Sequence, residues 1–114
     1  MTRQAELQEL VIQEAAALDS IPVAIRMGRD PGSERMQRLN SALEELDGLL
    51  AGQTSLERRF AYALYALAYH VDTHVQSWIR EGMVWRQDFL DDELPRLLMH
   101  VEYLLDGDMF VDEY

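Results

Sequence analysis

Apolar residues recur at steps of three and four along most of this chain, the period of helices that bury one face. Over residues 3–18, Leu7, Leu10, Val11, Ala15 and Leu18 share a face, while Gln4, Glu6, Gln8, Glu9 and Gln13 lie mostly away from it. With Thr2 as N-cap, this predicts an amphipathic surface helix. Residues 19–29 (DSIPVAIRMGR) read two ways. Ile21, Val23, Ile25 and Met27 alternate like a half-buried strand, yet Ser20 as cap, Pro22 in the first turn and Gly28 as stop describe a short helical turn. A lone strand would leave its amides unpaired in a helical monomer, which favours the turn.

A second long helix is predicted from Asp30 as cap, with Pro31 in the first position. Met36, Leu39, Leu43, Leu46 and Leu50 give it a bundle seam, and Gly52 closes it. The longest pattern then covers about 55–81, opened by a Thr54/Glu57 capping box and stopped by Gly82. Its broad apolar face is Phe60, Leu64, Leu67, Val71, Val75 and Trp78. A narrow face of Ala63, Ala66, His70, Thr73 and Ser77 and an amphipathic face of Tyr62, Tyr65, Tyr69 and Gln76 complete it. The period fails over 83–91. A last helix is predicted from Asp91 or Asp92, with Pro95 in its first turn and Leu94, Leu97, Leu98, Val101, Leu104 and Leu105 facing inward.

The fold class that follows is all-α: one domain over 1–114, bundle-like, with four main helices around the long central one. The short connection at 51–54 predicts that the second and third helices are antiparallel neighbours. A central helix apolar nearly all round needs more cover than three shorter helices give, which favours a helical homodimer over a monomer. Residues 108–114 (DMFVDEY) form an acidic, aromatic tail, either flexible or docked.

Charge narrows the function classes. The formal net charge is −11, and all ten bases are arginine. Fifteen of the 21 acids lie in residues 41–114. Such a surface repels a phosphate backbone, so nucleic-acid binding is not expected; the asymmetry suits a basic protein partner, a head-to-tail self-contact or simply a solvated face. With no cysteine, disulfides and thiolate chemistry are excluded. No stretch is long and apolar enough to span a membrane, and the first ten residues lack the apolar run of a secretory signal. A cytoplasmic protein with no membrane association is expected.

Candidate chemistry is sparse. His70 and His74, one turn apart, are spaced to offer two nitrogens to a divalent transition metal, with His100 as the third imidazole. No glutamate follows His70, so metalloprotease mechanics are missing, and the alternative is neutral histidines bordering the core. No phosphate-binding loop, nucleophile elbow or singled-out pair of carboxylates appears, so no catalytic residue and no cofactor are assigned. Trp85 and Phe89 stand among Asp88, Asp91, Asp92 and Glu93, the composition of an aromatic hot spot with a charged rim. The competing reading folds both rings over the end of the bundle as a plug. The tyrosines likewise either border the core or form a partner surface. The expectation taken forward is a non-enzymatic interaction module, with the composition of small acidic inhibitors, immunity proteins and antitoxins. Its acidic and aromatic surface, centred on residues 81–93 and the C-terminal tail, would bind a basic protein; the alternative is a metal- or ligand-binding bundle built on His70, His74 and the tyrosines.

Overall fold

The computed structural model describes residues 2–106, and every described element is helical. Helix α1 (Arg3–Ala16) is capped as its sequence predicts, the Thr2 hydroxyl accepting from the Ala5 amide at 3.1 Å. It ends two residues early, so Leu18 stands in solvent instead of on the buried face. Residues 21–26 resolve the ambiguous segment as a helical turn, α2 (Ile21–Arg26), capped by Ser20. Its stop shows why Gly28 is a glycine. Gly28 takes φ +76°, and a Cβ there would meet the Trp78 indole at 3.3 Å.

Helix α3 (Ser33–Leu49) starts later than Asp30 predicts, with Gly32 in the cap position. The Asp30 carboxylate instead accepts from the Gly32 amide at 2.7 Å and pairs with Arg86. The seam of α3 is as expected: Met36, Leu39, Leu43, Leu46 and Leu50 are all buried.

From Arg58 to Arg80 the helical backbone is unbroken but not uniform. Helix α4 (Arg58–Tyr65) passes into a π-helical turn (Ala66–His70) and then helix α5 (Val71–Arg80). The Thr54/Glu57 capping box does not form; Glu57 is the cap residue and offers no side-chain bond. The stop at Gly82 is as expected, with φ +92° and the Met83 amide reaching back to the Trp78 carbonyl.

The last helix begins before Asp91. A π-helical turn (Phe89–Glu93) leads into helix α6 (Leu94–Leu105), so Pro95 is not in the first turn of the helical run. Proline cannot donate to the carbonyl four residues back and its ring crowds that carbonyl. The wider turn, closed by the Leu94 amide on the Phe89 carbonyl, accommodates it.

Packing departs from sequence order. Helix α3 packs chiefly on α1 and α6, and α1 and α6 each also pack on α4, so the bundle-like order is α1, α3, α6, α4. The expected antiparallel pairing of α3 with the 58–80 segment is therefore not made; they sit across the bundle from each other. Arg3–Glu45 (2.7 Å) and Arg35–Glu14 link opposite ends of α1 and α3, an antiparallel pair. Helix α5 extends past this core and packs on α2, where the Trp78 indole donates to the Arg26 carbonyl at 3.2 Å. No described helix is long and apolar enough to cross a membrane. The tail at 108–114 lies outside the described residues.

Candidate interaction surface

Of the two placements expected for Trp85 and Phe89, the structure shows the buried one and not the exposed hot spot. Trp85 is only 3% exposed and Phe89 is fully buried, their rings 5.4 Å apart. Charge chemistry beside them shows why. Arg86 reaches inward with both ends of its guanidinium on Glu93 (2.7 and 2.8 Å) and on Asp30 (3.0 and 3.1 Å). Glu93, whose side chain is 1% exposed, is therefore no rim acid but the buried member of an ion pair with a half-buried Arg86. Hydrogen bonding to Arg86 holds its carboxyl below the usual range against the opposing effect of burial. The same bonds raise the Arg86 guanidinium further. Buried Asn40 of α3 donates to the Glu93 carbonyl at 3.1 Å, so the cluster joins three separate stretches of chain.

Of the six residues expected to meet a partner here, Asp88, Asp91 and Asp92 remain at the surface. Asp91 accepts from Gln87 at 2.7 Å and Asp92 faces Arg96 at 3.6 Å. They form an acidic patch without an exposed aromatic anchor.

The three histidines are not assembled into a metal centre: among the described residues no three His, Asp or Glu side chains are grouped to hold an ion. His70 lies edge-on to Tyr65 and Tyr69 at the 58–80 surface. Burial, His70 and Arg26 all lower the His74 pKa, in that order, an environment that repels a cation. His100 is separate, buried on α6 with neither ring nitrogen hydrogen-bonded. Burial lowers its pKa first; Glu44 and Asp47 oppose that effect and Arg96 adds to it.

Among the described residues, the exposed aromatic side chains are those of the tyrosine face. Phe60, Ala63, Leu64, Leu67, Val71 and Val75 fix one side of the 58–80 segment in the core. That turns Tyr62, Tyr65 and Tyr69 outward, at 61%, 43% and 57% exposure. They do not splay. Tyr65 and Tyr69 stack at 5.2 Å with their planes 10° apart, and Tyr62 follows Tyr65 at 6.0 Å. The result is a ladder of flat amphipathic rings with few torsions left to freeze, the kind of surface that gains most from being covered.

No family model, curated protein or solved structure matches this chain.

Proposed function

We propose that this protein is a non-enzymatic interaction module that binds a basic protein partner through the Tyr62–Tyr65–Tyr69 ladder. The observation that carries the reading is the ladder itself: Tyr65 and Tyr69 stacked, Tyr62 tilted against Tyr65, and all three rings exposed on a helix whose other side is locked into the core. Against a partner, the exposed parts of these rings supply apolar area, hydroxyl hydrogen bonds and faces on which arginine or lysine can stack. The net charge of −11 steers a cationic partner toward the molecule, with Asp88, Asp91 and Asp92 contributing to the field rather than to the contact.

This moves the contact surface away from Trp85 and Phe89, whose burial leaves them unable to touch a partner without unfolding their region. The alternative of a metal- or ligand-binding bundle on His70 and His74 has less behind it, since among the described residues no third His, Asp or Glu joins that pair.

Affinity capture with the full chain and its Tyr65→Ala/Tyr69→Ala variant tests the proposal. Capture of a basic protein by the wild type, weakened at high salt and lost from the folded variant, supports it. A partner retained equally by both chains contradicts it.

A further inference from the structure

Beside the ladder, on the flank of α4 that faces α1, lies a groove of about 450 Å³. Its floor is Ile12, Ala15 and Ala16 of α1 with Ala63 of α4. Arg58 and Arg59 stand at one end and Tyr62 forms a wall. We propose that this groove binds a small amphiphilic carboxylate, an alkyl or aryl acid whose apolar body lies on the alanine floor while its carboxylate meets Arg58.

Four observations converge on that class of ligand. The volume falls within the roughly 300–1,000 Å³ of small-molecule sites, and the lining has their usual makeup of apolar walls with a few convergent polar groups. Both charged groups in it are cationic, in a chain whose net charge is −11. Arg58 is exposed and takes part in no ion pair among the described residues. Arg59 is ion-paired with Glu9 at 3.6 Å, without a hydrogen bond, which leaves Arg58 as the guanidinium free to meet a planar carboxylate. Finally, the first turn of α4 has no side-chain cap, so the positive end of that helix adds to the two guanidinium charges.

The dimensions select a small molecule over a peptide helix. The lining spans Ile12 to Ala16 on one helix and Arg58 to Ala63 on the other, about 6–8 Å at 1.5 Å rise per residue. A docked amphipathic helix sets anchors at i, i+4 and i+7, about 10 Å or more. Tyr62 belongs to both the groove and the ladder, but Tyr65 and Tyr69 do not line the groove. Failure of one site therefore does not entail failure of the other.

Calorimetric titration of the full chain with octanoate, 2-naphthoate and octanol decides the matter. At least one of the two acids is expected to bind saturably at one site, with octanol at least tenfold weaker than octanoate if octanoate binds. Arg58→Gln/Arg59→Gln, checked for folding by circular dichroism, is expected to weaken the acid at least tenfold. Ala16→Phe, which fills the groove from an exposed position, is expected to abolish binding, while Tyr65→Ala/Tyr69→Ala leaves it unchanged. No binding of either acid, equal binding of octanol and octanoate, or full binding by the double arginine variant would each overturn the proposal.

Discussion

Two aromatic stretches of this chain, Tyr62–Tyr69 and Trp85–Phe89, face opposite ways. The first sits on an uninterrupted helical segment and points its rings at solvent; the second sits in an irregular, heavily charged connection and buries them. Local composition suggests the reverse, because charge around an aromatic pair looks like solvent around it. The difference lies in what the charges do. Around Trp85 the nearest one, Arg86, neutralises a buried carboxylate and draws the connection onto the bundle, so charge there serves closure. Residues 62–69 hold no acid and no arginine, and the register of the buried face turns the tyrosines outward.

Breaking the clamp should show the largest effect. Arg86→Leu leaves Glu93 buried without its counter-charge, which costs roughly 3–5 kcal/mol. Phe89→Ala, by transfer and cavity terms, is expected to cost a comparable ~3–5 kcal/mol. Chemical denaturation measures both, and a loss under about 1 kcal/mol for Arg86→Leu would mean the pair is not closed in solution.

Acid should act in two stages with signs set by the directions of the shifts. His74 and His100 are held below their ordinary 6.5 in the folded chain, so below that pH the unfolded chain takes up more protons and stability falls as pH drops. Glu93 is held below its ordinary 4.5, so its stabilisation is complete above that value and is lost as pH falls through the lower folded-state value. His100→Gln should flatten part of the first stage and leave the second. A denaturation midpoint as steep between pH 7 and 5 in that variant as in the wild type would rule His100 out as a contributor.

Smaller effects sharpen the comparison at the rings themselves. In Trp78→Phe, the remaining Trp85 fluorescence should resist quenching by iodide in the folded state and become accessible only on unfolding. On the other stretch, Tyr69→Ala should cost about 1 kcal/mol or less, since it loses an exposed stacking contact and little burial. Thermal melts would show that directly.

Much of the fold was legible in the sequence because helix period, caps and glycine stops are local. Thr2, Ser20, Gly28 and Gly82 act as their positions predict. Asp30 misled for a physical reason: a carboxylate suited to capping was taken by Arg86 from a distant part of the chain, and the helix began at Ser33 instead. The same long-range pair explains why Glu93, which by composition belongs with the rim acids, is buried. Pro95 signalled a helix start, yet the chain accommodates it with a π-helical turn; nothing in ALAYH announces the other such turn. The tyrosine stripe was visible as a stripe, but its exposure depended on which helices pack where, and the α3 position across the bundle is not written in any local pattern. The α1/α4 groove was invisible for the same reason: its residues come from two helices 42 or more positions apart.

The proposed working surface is the tyrosine ladder and not the acidic stretch beyond it. The most direct measurement is quantitative capture by three folded full-length chains: wild type, Tyr65→Ala/Tyr69→Ala and Asp91→Asn/Asp92→Asn. The tyrosine variant is expected to lose the captured basic partner at least tenfold, while the aspartate variant keeps it with a modestly weaker salt dependence. Loss of the partner from the aspartate variant, with retention by the tyrosine variant, would contradict the proposal.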